Sequence, residues 1–238
     1  MGAERADPGP VLALDTSGPA CSVALLAGGA LTDISGTFGP TGHSQELTDM
    51  AARLLDAAGI GFGDLGRIAV TVGPGSFTGV RIGLAAARGF ALATGRPALG
   101  FTTLEVTAAA AARDAALPPG TRLRVISDAR RGEVYWQDFE VGGDWTRSTP
   151  LSPPAVAAPS SLPPLPEGAA RTGSGLALLE RLAGIADIEG QDAPCPKALA
   201  ALGAAAAIPE PYLPPRPLYL RAPDAKLPGG RTLPAGPS

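Results

Sequence analysis

Histidine is almost missing from this sequence: His43 is the only one in 238 residues. One imidazole excludes a His-paired metal site and leaves no spare base for a serine triad. Ser76 also lacks the spacing of a nucleophile elbow. Cysteine is scarce, and Cys21 and Cys195 stand far apart in no metal-ligand spacing, which reads as two free thiols in a reducing compartment. Aromatic residues make up only 5% of the chain, so the core has to be built from Ala, Val, Leu and Ile. Basic charge is not in excess either, the formal net charge being −3. A chain that gripped RNA alone would carry a basic face, because phosphate contacts supply most of that affinity. No run approaches the ~20 apolar residues of a membrane span, and Met1 to Pro10 mixes charges with no apolar stretch. These absences place the chain in the cytoplasm, away from membranes.

What is present is punctuation: 32 Gly and 26 Pro. A short apolar run, Pro10 to Leu14, ends in Asp15. Thr16, Ser17, Gly18 and Pro19 form a turn, and Ala20 to Leu26 is apolar up to Gly28 and Gly29. This predicts a β-hairpin. Leu47, Met50, Ala51, Leu54, Leu55 and Ala58 have helical spacing, so a helix is expected from Ser44 to Ala58, stopped by Gly59. Arg67 to Val72 predicts a buried strand. The run Gly73-Pro74-Gly75-Ser76-Phe77-Thr78-Gly79 then feeds a helix over 78–94, and Pro97 to Phe101 predicts another strand. Thr102 and Glu105 have the spacing of a capping box that opens an Ala-rich helix to about Arg113.

After a linker at 115–121 the opening pattern returns. Leu123 to Ser127 is apolar, Asp128 ends it, Ala129 to Gly132 turns, and Glu133 to Val141 reads as a strand. Strand, Asp, turn and strand thus occur twice, which suggests two related lobes. The division expected is a first lobe over 10–114, a smaller second lobe over 121–221, and a disordered tail over 222–238. Residues 148–170 are Pro-rich and read as irregular, and Arg171 to Gly175 as a strand end and tight turn. Helices are expected at 176–183 and 197–206.

A strand ending in an acid before a small polar turn suits magnesium and phosphate. The carboxylate can hold a hydrated metal while turn N–H groups face phosphate oxygens. Two such hairpins across a cleft make the nucleotide site of the actin, sugar-kinase and Hsp70 architecture; two ordinary hairpins whose acids cap turns fit the same spacing. Asp15, Thr16, Ser17 and Asp128 are therefore the candidate nucleotide loops, although Arg130 and Arg131 stand where small residues would admit phosphate. Gly73, Gly75, Ser76, Thr78 and Gly79 form a second candidate, because helix N-termini attract anions. This run is not a Walker A loop, since Val80 and Arg81 follow it in place of Lys and Ser or Thr. Glycines that let the helix pack closely on a strand explain the run as well.

Several stretches resemble the TsaB (YeaZ) family: Leu12 to Ser17, Cys21 to Leu25, His43 to Leu47, Val72 to Gly83 and Pro97 to Glu105. In the second half, Asp128 to Tyr135 and Pro217 to Arg221 are similar to family signatures. The resemblance implies an α/β fold of the ASKHA type, two lobes with mixed sheets flanked by helices. It also implies a non-catalytic subunit that pairs with the threonylcarbamoyltransferase TsaD and the ATPase TsaE, so that tRNA is met mainly through the complex. It implies no cofactor of this chain's own, ATP being used by the complex, and leaves open weak nucleotide binding here. The catalytic paralogue has a His-x-x-x-His metal pair whose places fall at Thr103 and Thr107, and threonine is a poor transition-metal ligand. In the family the two helices of the first lobe pack on the same pair in the partner. That makes Leu47, Met50, Leu54, Val80, Gly83, Leu84, Ala87 and Ala91 the expected partner-facing positions, also usable in a homodimer. The rival readings are an active ASKHA ATPase or phosphotransferase and a peptidase, the second opposed by the lone histidine.

Overall fold

The computed structural model describes residues 8–37 and 43–221. The run before Asp15 forms β1 (Val11–Asp15), every residue of it buried, and the run after the turn forms β2 (Ala20–Ala27). The two pair antiparallel from Val11↔Leu26 to Asp15↔Ser22. β3 (Ala30–Thr37) follows a turn in which Gly28 and Gly29 both have positive φ, and it pairs with β2 along its length. This strand is not legible in the sequence: it is an edge strand, and Leu31 and Ile34 are its only large apolar residues.

α1 (His43–Ala58) leads to β4 (Arg67–Thr71), which lies parallel to β1. α2 (Phe77–Thr94) begins at the N-cap Ser76 and ends at Gly95, in the left-handed region at φ 68°. β5 (Ala98–Phe101) then pairs parallel with β4, giving the sheet order β3-β2-β1-β4-β5. The inward residues of α1 and α2 pack on one face of this sheet, with Leu12, Leu14, Val23, Ile68 and Val70 beneath them.

α3 (Thr103–Asp114) opens with the expected capping box, Glu105 N donating to Thr102 Oγ1 at 3.0 Å and Thr102 N to Glu105 Oε2 at 2.7 Å. Its residues 103–112 are all buried except Glu105. A helix apolar on every side is a buried helix, and here it is wedged between the lobes. Val106, Ala109 and Ala110 pack on the first sheet, while Leu104, Ala108, Ala111 and Ala112 pack on the second. The alanine run lets two sheets approach one helix.

The second sheet contains β6 (Arg122–Asp128), β7 (Val134–Glu140), β8 (Thr149–Pro150), β9 (Ala155–Ala157), β10 (Ala170–Thr172) and β11 (Ala186–Ile188). Its order is β11-β10-β6-β7-β8, with β9 also on β7. β6 pairs antiparallel with β7 and parallel with β10, and β10 pairs parallel with β11. β6, β7, β10 and β11 therefore repeat the layout of β1, β2, β4 and β5, so the weak sequence repeat is a repeat of topology. In register on neighbouring strands stand Arg124 and Arg171, both buried. Each is neutralised by its own acid: Arg124 by Asp138 at 2.6 and 2.7 Å, Arg171 by Asp187 at 2.8 and 3.0 Å.

Three expectations are corrected. Residues 148–170 are not wholly irregular, since they hold β8 and β9. The helix expected at 176–183 shrinks to one 3-10 turn, Leu176–Leu178, because the backbone turns extended at Leu179 (φ −117°, ψ 149°), and Arg171 Nη2 donates to the Glu180 carbonyl just beyond at 3.1 Å. The lobe division at residue 121 does not hold in space. α4 (Pro196–Ala205), from the second half of the chain, packs against the first sheet, with Ala198, Leu199 and Ala200 beside Val11 and Ala69. The chain beyond it also returns to that sheet, where the Tyr212 hydroxyl bonds both Ala98 N and O on the β5 edge. The tail expected to be disordered, 222–238, lies outside the described residues.

Candidate functional site

Asp15 ends β1 and is almost fully buried, 3% exposed. Its Oδ1 accepts from Ser17 N at 3.0 Å, Ser17 Oγ at 2.6 Å and Thr71 Oγ1 at 2.5 Å. Burial pushes this carboxyl above the usual carboxylate range, against the pull of those hydrogen bonds. The acid is a knot that ties the end of β1 to the turn and to β4. All three donors meet the same oxygen, Oδ1.

The glycine run lies directly on that turn. Ser76 N donates to Ser17 O at 2.7 Å, and Thr16 Oγ1 donates to Gly79 O at 2.7 Å. A Cβ at Gly75 would stand 2.5 Å from Ser17 O, one at Gly83 would stand 2.5 Å from Thr16 Oγ1, and one at Gly79 would overlap the Thr16 carbonyl oxygen. The glycines are there because backbone meets backbone. Ser76 Oγ caps the helix by accepting from Gly79 N at 3.2 Å. Gly73, at φ 101°, gives its carbonyl to Thr103 N at 2.9 Å, and Thr78 is exposed on the first turn of α2.

Across a cleft of about 660 Å3 stands the second turn; Ser17, Gly75, Ser76, Thr103 and Thr107 line one side, and Asp128, Arg130 and Ser174 the other. The structure thus brings the two hairpin turns to one cleft, but Asp15 is not among the residues lining it. Asp128 Oδ1 accepts from Arg130 N at 2.7 Å, and its other oxygen lies 3.4 Å from the Arg130 guanidinium. Arg130 and Arg131 both have left-handed backbone, φ 63° and 59°, a conformation that costs about 1 kcal/mol or more per non-Gly residue. Arg221 holds this turn from outside, donating to Ala129 O at 3.2 Å and pairing with Glu133.

Thr103 and Thr107 are buried, and Thr103 Oγ1 donates to the Pro74 carbonyl at 2.7 Å. The Thr103 hydroxyl is thereby committed to the backbone of the glycine run. Among the described residues no group of three His, Cys, Asp or Glu side chains could hold a metal ion. The His43 side chain is outside what the structure describes.

The expected partner-facing stripe is corrected outright. Leu47, Met50, Leu54, Val80, Gly83, Leu84 and Ala87 are buried, and all but Gly83 belong to this chain's own core, with Ala91 partly buried against it. An apolar stripe first serves the sheet beneath it. The surface that α2 leaves to solvent is the opposite one: Phe77, Arg81, Ala85, Gly89 and Leu92, the last 88% exposed. The spacing 77, 81, 85, 88/89, 92 was readable as the complement of the buried stripe. Its upper end is a cluster: Arg81 lies 3.7 Å over the Phe77 ring and donates to the Tyr219 hydroxyl at 2.9 Å, and the two rings are 5.2 Å apart. Tyr219 belongs to the closing segment, which is fixed by Leu218 N donating to Val72 O at 2.8 Å.

Two mixed sheets of one layout, hairpin turns facing a cleft and a shared buried helix define an ASKHA-type α/β protein. Comparison with known proteins narrows the class, and the chain belongs to the TsaB/YeaZ family. Residues 40–171 match the family model described as "TsaD: tRNA N6-adenosine threonylcarbamoyltransferase". The solved structure of YeaZ from Pseudomonas aeruginosa is 30% identical with a TM-score of 0.70, covering 82% of this chain and 90% of that one. The tRNA threonylcarbamoyladenosine biosynthesis protein TsaB of Escherichia coli is 39% identical over 130 residues, 55% of this chain and 54% of that protein. The chain therefore spans about half the length of the curated TsaB relatives it matches. An uncharacterized protein of Mycobacterium tuberculosis is 33% identical over 219 residues, covering 91% of this chain and 93% of its own. Among the described residues no helix is long and apolar enough to cross a membrane.

Proposed function

We propose that this chain is a scaffold subunit that binds the TsaD threonylcarbamoyltransferase, and with it the ATPase TsaE, for threonylcarbamoyladenosine modification of tRNA next to the anticodon. The observation that carries this reading is the way the cleft is spent. Asp15 Oδ1 takes Ser17 and Thr71 and ties the turn to β4, while Thr103 is committed to Pro74 in the glycine run, so both positions serve the scaffold. The chain keeps the architecture of an enzyme while its former ligand positions act as mortar. It needs no cofactor of its own, and tRNA is met through the complex.

The docking face is the outward side of α2, beside the exposed side of α1. Small Ala85 and Gly89 allow close helix approach there, and Phe77 supplies an anchor. The same face serves a homodimer when the paralogue is absent, since similar folds present similar patches. The test is co-expression with the TsaD paralogue of the same organism, followed by size-exclusion chromatography with light scattering. The wild type is expected to form a heterodimer. Ala85→Asp, placed on the exposed face, is expected to abolish it while thermal unfolding stays unchanged. An unaltered heterodimer moves docking off this face, and its absence in the wild type removes the scaffold reading.

The rival is an ATPase or phosphotransferase using the open cleft. It requires magnesium-dependent ATP binding by the isolated chain that Asp128→Asn weakens; the scaffold reading expects neither.

A further inference from the structure

A second concavity lies away from the cleft, where the C-terminal half of α2 meets the segment after α4. It is about 920 Å3 in volume, the size of sites that take a substantial ligand. Leu92, Ile208 and the ring of Tyr212 supply its apolar surface, and Leu92 and Ile208 remain 88% and 39% exposed. Its rim is basic: Arg88, Arg96 and Arg216 are all among the lining residues, and none of the described lining residues is an acid. This runs against the whole molecule, whose net charge is −3.

The walls are fixed. Arg88 Nη2 donates to the Pro215 carbonyl at 2.5 Å, which ties α2 to the returning segment. The Tyr212 hydroxyl is held by Ala98 N and O at 3.0 and 3.1 Å, so its ring cannot swing away. The segment is rich in proline (Pro209, Pro211, Pro214, Pro215 and Pro217) and has little backbone freedom to lose. Arg96 and Arg216 are exposed and make no ion pair among the described residues. A preformed apolar groove with two uncommitted guanidinium groups on its rim lacks only the complementary occupant.

We propose that this groove docks a short polypeptide segment of a partner protein, one that carries leucine-like side chains flanked by aspartate or glutamate. Apolar side chains cover Leu92, Ile208 and Tyr212, and the carboxylates pair with Arg96 and Arg216. The groove adjoins the Ala85 face of α2 and shares Leu92 with it, while Arg96 and Arg216, which select the acidic occupant, lie beyond the end of that helix.

The test uses the full-length chain and a random-peptide display library, selected on wild type and counter-selected on the Arg96→Glu/Arg216→Glu double variant. Enriched peptides are expected to combine leucine, isoleucine or phenylalanine with aspartate or glutamate. A synthetic copy of the strongest is expected to bind the double variant at least roughly tenfold more weakly. Leu92→Ser, which trims a side chain already in solvent, is expected to weaken it as well, and circular dichroism confirms that each variant is folded. Enrichment of basic or uncharged peptides, or a peptide that binds wild type and variant alike, overturns the proposal. Other occupants leave their own marks. A second copy gives a dimer by light scattering that the Arg96→Glu/Arg216→Glu variant converts to monomer and Ala85→Asp leaves intact, and residues 222–238 give peptide binding only after their deletion; either result also overturns it.

Discussion

Asp15 is held by three donors and still has its carboxyl raised, because burial outweighs them. The sign of its pH dependence follows. Between the ordinary value of 3.8 and the raised folded value, the folded chain keeps a proton that the unfolded chain has lost. Stability from this group therefore falls as pH rises through that window. Asp15→Asn keeps the Oδ1 acceptor and does not titrate. Denaturant melts are expected to show it gaining on wild type as pH rises above the ordinary carboxyl value of 3.8. Asp15→Ala strands the hydroxyls of Ser17 and Thr71 and is expected to cost about 2–3 kcal/mol, more than the Asn variant. Cys21 is another buried group: burial, with Glu46 and Asp15 nearby, pushes its thiol up to about 12. Native protein is expected to react with a maleimide at Cys195 alone, and unfolded protein at both cysteines, as counted by intact mass.

At the scale of elements, α2 shows how one helix can be read in two ways. Its apolar periodicity predicts the helix and its ends closely, since Ser76 caps one end and Gly95 the other. Periodicity says where an apolar stripe is and not what covers it. The resemblance assigns the stripe to a partner, and the structure gives it to β4, β1 and β5. Outward residues such as Ala85 and Gly89 carry no signal of their own, because small residues are ordinary on a helix surface. The glycines separate cleanly by environment. Gly79→Ala pushes a methyl group into Thr16 and is expected to destabilise by roughly 1–3 kcal/mol. Gly89→Ala meets nothing within 4 Å and is expected to stabilise by about 0.5–1 kcal/mol. Thermal unfolding of the pair checks both signs. The segment at 176–183 marks the opposite limit: its helical pattern yields a single 3-10 turn that ends in extended backbone at Leu179.

On the scale of the whole molecule, the duplication was legible in two Asp-ended strands, and the lobe boundary was not. α4 and the closing segment cross back to the first sheet, so the lobes are joined by α3, α4 and the residues up to Arg221. A linear reading cannot see such a return, because Ala-rich α4 has the same composition wherever it packs. Glycine spacing showed that the Asp15 turn and the Gly73–Gly79 run matter. It left open whether they face an anion or each other; the two segments do meet, Ser76 N on Ser17 O and Thr16 Oγ1 on Gly79 O. The second lobe depends on its buried charge pairs. Arg124→Ala leaves Asp138 without its partner and is expected to cost about 3 kcal/mol, read as a lowered denaturation midpoint.

The central claim is that this chain is required for tRNA modification while its own cleft carries no chemistry. The most direct measurement is threonylcarbamoyladenosine formation on tRNA in a mixture of purified TsaD, TsaE, ATP and threonylcarbamoyl donor, with and without this chain. Product is expected only when the chain is present; Asp128→Asn should leave the yield unchanged and Ala85→Asp should abolish it. Full product in the absence of the chain, or loss of product with a folded Asp128→Asn variant, would contradict the account.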